Sequence, residues 1–275
     1  MKKAARSPVA TASSEVQGSL PGPGPGPLPG PGRLPGPGRL PGPERLPGST
    51  TPARPIGRPA GHNSEHTRLR ILDEAESLFA EVGYDGTSIR DIAARASVQA
   101  AVVSYHFGSK DDLFDSVVSR RLSILNVQRE TTLAEAIAQR QGGPIPLTQL
   151  IRDYIGPFVE AASHGNPGWR NFAALMGRLA NSSRGADMIE RHADGIARVY
   201  LAEFARTLPD LSKASLVDGF LYMVSAMLFV SAGTDRWERL QDLPRSTPRD
   251  PELVLAHLVP FVAGGFKALQ SSARS

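Results

Sequence analysis

Side chains that can donate or accept hydrogen bonds are concentrated between Thr87 and Lys110. The run Ser104-Tyr105-His106-Phe107-Gly108-Ser109-Lys110 ends this stretch with aromatic rings, a serine suited to begin a helix, and a lysine. Hydroxyl groups, the amide of Gln99 and the ammonium of Lys110 can bind phosphate oxygens and the edges of bases. These residue types in this order indicate contacts to DNA rather than bond-breaking chemistry.

Two short helices and a tight turn must position these side chains. From Glu65, apolar residues recur at spacings of three and four, which predicts a first helix that ends at Gly83. Its expected buried stripe is Leu69, Leu72, Ala75, Leu78, Phe79 and Val82. Ser88 and Asp91 have the spacing of a capping box that begins a second helix. After the turn 97–99, a third helix from Ala100 to Tyr105 completes a helix-turn-helix pattern, with Val98 and Val103 as anchors.

Residues 65 to about 120 resemble the TetR family of bacterial transcriptional regulators. The resemblance rests on Gly83-Tyr84, on Thr87-Ser88-Ile89-Arg90-Asp91-Ile92-Ala93, and on the run from Tyr105 to Leu113. It implies that the third helix enters the major groove, while Thr87 and Lys110 hold phosphates on either side. The side chains expected to contact DNA are Thr87, Ser88, Arg90, Gln99, Ala100, Ala101, Val102, Ser104, Tyr105, His106 and Lys110.

Several of these residues have a second, purely structural interpretation. Phe107 fits the core, and His106 fits packing with support of the phosphate side better than base reading. Tyr105 suits either role, and Lys110 taken alone could be a solvated lysine. Two positions depart from the usual family pattern. Ser97 stands where glycine is common, which costs roughly 1 kcal/mol if the turn is left-handed, and Ser104 replaces a tyrosine, so no operator sequence can be carried over.

The first sixty residues differ sharply from the rest in composition. Residues 18–48 are almost entirely Pro, Gly, Leu and Arg, and the repeat Arg-Leu-Pro-Gly-Pro restarts at Arg33 and Arg39. Such a composition predicts a disordered tail over residues 1–60. The tail carries eight basic and two acidic residues, whereas residues 61–130 carry eight and eleven. The net charge of +4 is thus due to the tail, which is either a solvated extension or a basic arm that raises non-specific DNA affinity.

Helical periodicity continues to the end of the chain. A fourth helix begins at Ser109, and further helices are expected at about 147–163, 170–181, 186–207, 212–232 and 251–270. No segment alternates with a period of two, so the predicted fold is all-α. The expected domains are a tail at 1–60, a DNA-binding domain at 61–112 and a helical ligand-binding and dimerisation domain at 113–275.

The last two helices are candidates for a dimer interface. Residues 219–232 are apolar on nearly every face, and such a helix must be covered all round. The last helix would join it through Leu255, Leu258, Val259, Val262 and Phe266. The resemblance implies a two-fold dimer that reads a palindromic operator. The alternative is that both helices belong to the core of one chain.

A pocket for a small effector is also implied by the resemblance. Its candidate lining residues are Tyr154, Phe158, Phe172, Met176, Phe204, Met223 and Met227, with Arg178 as an anion partner. Residues of these types at helical spacing are more often plain core. The segment from Trp169 to Leu179 is similar to a branch that includes fatty-acid-responsive repressors, which implies an acyl or similarly apolar effector.

Other function classes find less support in the sequence. The chain has no cysteine, which excludes disulfides and thiolate catalysis. It has no phosphate-binding glycine loop, no nucleophile elbow and no His-Glu-x-x-His. His62 and His66 have metal-ligand spacing but no third ligand, so no cofactor or metal is predicted. The apolar run 220–232 is too short to cross a bilayer, so no membrane contact is predicted. Together with the resemblance, the sequence predicts a cytoplasmic, homodimeric, ligand-responsive repressor. The alternative is an all-helical enzyme or binding protein.

Overall fold

The computed structural model describes residues 60–164, 166–180, 182–233, 236–244 and 249–272. The predicted tail at 1–60 lies outside these ranges, apart from the backbone of Ala60. The described residues contain helices and connecting loops, and no strand, so the all-α prediction is confirmed.

Eleven helices follow one another along the described part of the chain. They are α1 (Ala60–Val82), α2 (Ile89–Arg95), α3 (Ala100–Phe107), α4 (Lys110–Gln139), α5 (Leu147–His164), α6 (Pro167–Leu179), α7 (Ser183–His192), α8 (Asp194–Thr207), α9 (Lys213–Ser231), α10 (Arg236–Leu240) and α11 (Pro251–Ser272). The predicted helix 186–207 is two helices, because the backbone breaks at Ala193 (φ −125°, ψ −26°). The five-residue α10 was not predicted.

The helix-turn-helix part, α1 to α3, packs on the start of α4 around a small aromatic cluster. The rings of Phe79 and Phe114 meet edge to face with their centroids 4.7 Å apart, and Tyr84 packs on Phe114 at 5.0 Å. The predicted stripe of α1 is correct in its middle but wrong at both ends, since Leu69 and Val82 are exposed. Gly83 ends α1 in the left-handed region (φ +79°), as expected.

The buried core continues into the larger part, among α4 to α9 and α11. Phe266 of α11 stacks on Phe204 of α8, with the ring centroids 5.1 Å apart. Gly219 of α9 lets α9 and α11 approach each other closely. A Cβ atom at Gly219 would lie 2.5 Å from Cε1 of Phe266, so a larger residue there would clash. The side of α11 that carries Phe266 therefore packs within its own chain.

This packing corrects the predicted dimer face of the last helix. The five residues named for it are all buried within the chain: Leu255, Leu258, Val259, Val262 and Phe266. They share the side of α11 that faces α5 and α9. The opposite side, with Leu253 and Phe261, is exposed, and Phe261 is 76% exposed.

Two helices are long and apolar enough to cross a membrane by length and composition. They are α9, with a mean hydropathy of 1.6, and residues 251–271 of α11, with 1.4. Both helices extend beyond any uninterrupted apolar run, so the length of the run 220–232 did not predict them. The expectation of no membrane contact stays a prediction.

Candidate nucleic-acid interface and internal cavity

Hydrogen bonds fix the start of α2 and the turn between α2 and α3. The Ser88 hydroxyl accepts from the backbone N–H of Asp91 at 3.2 Å, and the Asp91 carboxylate accepts from the backbone N–H of Ser88 at 3.1 Å. This is the expected capping box. In the turn, Val98 N–H donates to the Ala93 carbonyl at 2.9 Å. Ser97 has a φ of +51°, so the turn uses the left-handed conformation that glycine adopts more readily.

One side of α3 is anchored and the other faces solvent. Val103 is fully buried and Phe107 nearly so, which confirms both as core residues. Tyr105 is 84% exposed, and Gln99, Ala101 and Ser104 are exposed beside it. Ala100, Val102 and His106 are half-buried at the edges of this face. We call the exposed set Gln99, Ala101, Ser104 and Tyr105 the α3 face.

Thr87 does not present its side chain as expected. It is buried, and its hydroxyl donates to the Gly83 carbonyl at 2.8 Å. Its backbone N–H donates to the Tyr84 carbonyl at 3.2 Å. Thr87 thus donates hydrogen bonds to two carbonyls just after α1, where Gly83 in the left-handed conformation ends the helix. Because its hydroxyl proton is used in this way, it is not available to donate to a phosphate. Its neighbour Ser88 is exposed.

Lys110 is attached to the same loop. Its Nζ donates to the Thr87 carbonyl at 2.7 Å and lies 4.0 Å from the centroid of the Tyr84 ring. The ammonium therefore ties the start of α4 to the loop before α2, and two of its three N–H groups remain for another acceptor. Lys110 is a positioning residue here as well as a candidate phosphate ligand.

The remaining cations near this surface differ in how far they are engaged. Arg90 on α2 is exposed and has no hydrogen bond or ion pair to any residue that the structure describes. Arg95 is held by Glu74, Glu81 and Ser77. Arg68 was missed by the sequence argument: its guanidinium lies 5.1 Å from the Phe107 ring centroid, at the end of α3.

An apolar cavity of ≈ 180 Å³ is lined by residues of α4 to α9. Four predicted residues line it: Tyr154, Phe158, Met176 and Met227. Three others are fully buried and do not line this cavity: Phe172, Phe204 and Met223. Met223 lines a separate pocket between α9 and α11. Burial raises the pKa of Tyr154, so its hydroxyl stays protonated at neutral pH.

Arg178 is not the anion partner of this cavity. It is exposed, and its Nη2 donates to the Glu81 carbonyl at the end of α1, at 3.2 Å. The charged residues on the cavity wall are Arg129 of α4 and Asp194 of α8. Arg129 follows Leu122 and Leu125 on the buried stripe of α4. A charged residue at such a position is rarely buried without a partner, so this position in the sequence could have identified Arg129 as a candidate ligand-binding residue.

Comparison with known proteins gives matches to both parts of the chain. Residues 71–117 match the family described as "Bacterial regulatory proteins, tetR family", and residues 152–265 match "Tetracyclin repressor-like, C-terminal domain". Together these segments make up more than half of the 275 residues.

Individual relatives are similar over shorter stretches or at lower identity. The biofilm operon icaADBC HTH-type negative transcriptional regulator IcaR of Staphylococcus aureus is 40% identical over 57 residues, which are 21% of this chain and 31% of that protein. The chain thus spans about a third of the length of these curated relatives.

Among solved structures, the ketosteroid transcriptional regulator KstR2 of Mycobacterium tuberculosis has a TM-score of 0.51 at 18% identity, covering 72% of this chain and 93% of that one. The TetR family transcriptional regulator PfmR from Thermus thermophilus has a TM-score of 0.51 at 19% identity, covering 71% and 94%. These structures share the fold.

Proposed function

This chain belongs to the TetR family of bacterial transcriptional regulators, which are not enzymes, and from that premise we propose that it represses transcription as a homodimer whose two α3 helices enter successive major grooves of a palindromic operator. The observation that carries the proposal is the α3 face: Tyr105 is 84% exposed on a helix whose other side is anchored by Val103. In a helix-turn-helix, the exposed side chains of the second helix are the ones placed to contact bases and phosphates in the major groove.

The apolar sides of α9 and α11 support the homodimer. Leu221, Tyr222 and Phe229 of α9 and Leu253 and Phe261 of α11 are each more than half exposed. Soluble monomers rarely expose large contiguous apolar patches. A second copy of the chain would bury this surface in a two-fold, self-complementary contact.

A small effector would act through α6. This helix contributes Met176 to the cavity wall, as does Ala180 at its end, and it packs along α1, where Arg178 binds the Glu81 carbonyl. A molecule that fits only one position of α6 would favour one position of α1, and hence one spacing of the two α3 helices. Effector and operator would then weaken one another by the same factor.

Repression and a cytoplasmic location are part of the same proposal. The similar segment of IcaR belongs to a negative regulator, and operator DNA lies in the bacterial cytoplasm. The predicted contacts of Ser88, Arg90, Gln99, Ser104, Tyr105, His106 and Lys110 remain proposals, with Ala100, Ala101 and Val102 at the thymine methyls. Both the hydroxyl and the backbone N–H of Thr87 are engaged within the chain, so at this position the proposal rests on its neighbours.

A gel-shift titration with DNA from the promoter nearest the gene tests the proposal. We expect one palindromic site to bind tightly, and the logarithm of the affinity to fall linearly with the logarithm of salt concentration. Tyr105→Ala should weaken binding, whereas Val199→Ala, which removes an exposed apolar side chain on α8, should not. Binding that shows no sequence preference, or that survives Tyr105→Ala unchanged, would contradict the proposal.

A further inference from the structure

Arg129 is a cation buried beside the cavity without an anionic partner among the described residues. Only 2% of the residue is exposed. Its Nε donates to the Tyr154 carbonyl at 2.9 Å, and its guanidinium carbon lies 4.0 Å from the centroid of the Tyr154 ring. Neither Nη1 nor Nη2 has a hydrogen bond or an ion pair to a described residue. A buried guanidinium is costly unless a charge or several acceptors satisfy it.

The neighbouring acids are directed elsewhere. Asp194 also lines the cavity, but its carboxylate accepts from Arg198 one helical turn along α8, at 3.2 Å. Asp153 precedes Tyr154 on α5, yet its environment is set by burial and by Arg152 rather than by Arg129. The positive charge of Arg129 is therefore available to the contents of the cavity.

The rest of the cavity wall defines the other half of the ligand. Phe158, Met176, Phe220 and Met227 supply apolar surface within a space of ≈ 180 Å³. A cavity of about 150 Å³ holds benzene. The available volume thus suits a body the size of one ring, with one small polar group directed at Arg129 and the Tyr154 hydroxyl.

From these observations we infer that the cavity takes a compact carboxylate: an anionic group held by both Nη atoms of Arg129, with a ring-sized apolar body among α5, α6 and α9. The fork of a guanidinium matches the two oxygens of a carboxylate, and charge-assisted bonds of this kind are about twice as strong as neutral ones. The inference rests on the proposed function, since it names the class of the effector.

A surface depression adjoins the cavity between α6 and α9. A depression of ≈ 750 Å³ there includes Gly177 and Ala232, and it shares Ala180, Ser225 and Leu228 with the cavity. Small side chains dominate these shared positions. A ligand could therefore enter between α6 and α9, the pair of helices that links the cavity to α1 and to the exposed apolar surface.

Binding of three matched probes to the full chain tests the inference: benzoate, benzamide and benzylamine, which carry a negative, a zero and a positive charge on the same ring. By titration calorimetry we expect benzoate to bind at least about 10-fold more tightly than benzamide, because a charge-assisted pair replaces a neutral one. Arg129→Met should bring the ratio close to one, whereas Arg129→Lys should retain a preference for benzoate. Arg152→Met, an exposed arginine on α5 whose partner is Glu252, is the matched control and should keep the wild-type ratio.

The outcomes separate this inference from the regulator proposal. Equal binding of benzoate and benzamide, a preference for benzylamine, a ratio unchanged by Arg129→Met, or binding of none of the probes would each overturn the carboxylate site. Circular dichroism melts of the Arg129 variants check that they fold. If Arg129→Met does not fold, Arg129→Gln, which also removes the charge, decides the question. If none of the probes binds while the wild-type chain still binds its palindromic DNA, the anion site is wrong and the regulator proposal is unaffected. If benzoate binds as expected but the chain binds no DNA, the anion site is supported and the regulator proposal is wrong.

Discussion

Nε and Nη2 of Arg121 donate to the two carboxylate oxygens of Glu76, at 2.8 and 2.9 Å, and so tie α4 to α1. The Glu76 side chain has no exposed surface, and Arg120 adds a third hydrogen bond at 2.9 Å. At the start of α6, Gly168 leaves room for this pair, since a Cβ atom there would overlap Nη2 of Arg121. One buried carboxylate thus joins the helix-turn-helix part to the larger part of the chain.

Removing this carboxylate charge should strongly destabilise the protein. Glu76→Gln leaves two guanidinium groups facing a neutral amide, and breaking a buried pair from one side costs about 3–5 kcal/mol. Urea denaturation measures the change in the free energy of unfolding. Asp73→Asn is the matched control, because Asp73 pairs with the same Arg120 but is largely exposed, and exposed pairs contribute about 0–1 kcal/mol. Equal losses for the two variants would show that burial of Glu76 is not what matters.

Glycine at position 97 should stabilise the turn between α2 and α3. Ser97 has a φ of +51°, where a side chain with a Cβ atom costs roughly 1 kcal/mol. Ser97→Gly should therefore raise the free energy of unfolding by up to about 1 kcal/mol, less the extra entropy of an unfolded glycine. Thermal unfolding measures it. Ser97→Ala keeps the Cβ atom and should give no gain; a gain as large as that of glycine would rule out backbone strain as the cause.

The sequence was most informative where one local signal decides the structure. The Ser88 and Ser109 capping boxes, the end of α1 at Gly83 and the left-handed turn at Ser97 each depend on a few adjacent residues. The orientation of α11 could not be read in this way. Both of its sides are apolar, so periodicity did not say that Phe266 faces Gly219 while Phe261 faces outward.

The charged residues that matter inside the chain were missed for a related reason. Glu76, Arg121 and Arg129 all lie on the buried stripes of their helices, between apolar residues at spacings of three and four. A search for helical faces that considers only apolar residues does not detect these charged residues. The role of Thr87 was also beyond local reasoning, because its hydroxyl is taken by the Gly83 carbonyl through a loop geometry that the sequence does not specify.

Asp153 should make stability depend on pH. Burial raises the pKa of Asp153 from 3.8 to about 6, and Arg152 offsets only part of this. An acid with a raised pKa binds its proton more tightly in the folded state, so its contribution is fully present below pH 3.8 and is lost as the pH rises through about 6. Because the group is only partly buried, we expect the loss to be on the order of 1–2 kcal/mol.

The difference between two denaturation series isolates this group. Unfolding free energies of the wild type and of Asp153→Asn, measured from pH 4 to pH 7, should diverge in favour of the variant as the pH rises. The reference variant is Asp187→Asn, an exposed acid on α7, and its curve should run parallel to the wild type. A wild-type curve that rises with pH relative to Asp153→Asn would mean that the pKa is lowered instead.

A charge on the exposed side of α11 should separate the proposed dimer. Phe261 is 76% exposed and has apolar neighbours on both last helices. Phe261→Asp would bury a carboxylate against the partner copy, so sedimentation equilibrium should show the dissociation constant raised by at least about 100-fold, which corresponds to roughly 3 kcal/mol. Val199→Asp places the same charge on an exposed apolar position of α8 and should leave the mass of the complex unchanged. A wild-type protein that is monomeric at micromolar concentration would refute the interface itself.

Arg90 and Gln99 should contribute to DNA binding in different ways. Arg90 is exposed and unpaired among the described residues, whereas Gln99 begins α3 with no hydrogen bond from its side chain to the helix end. If Arg90 meets a phosphate, Arg90→Ala should weaken binding to all sequences alike and reduce the salt slope by about 1. If Gln99 meets a base edge, Gln99→Ala should cost about 1–3 kcal/mol on the preferred site, little on other sites, and leave the salt slope unchanged.

Lys110→Ala is less suited to this comparison, because its Nζ also holds the Thr87 carbonyl. Gel shifts on the palindrome and on a scrambled duplex at several salt concentrations measure both effects, with Arg236→Ala on α10 as the control for an exposed arginine outside the interface. Equal losses for Arg90→Ala and Gln99→Ala on both duplexes would contradict the division of roles.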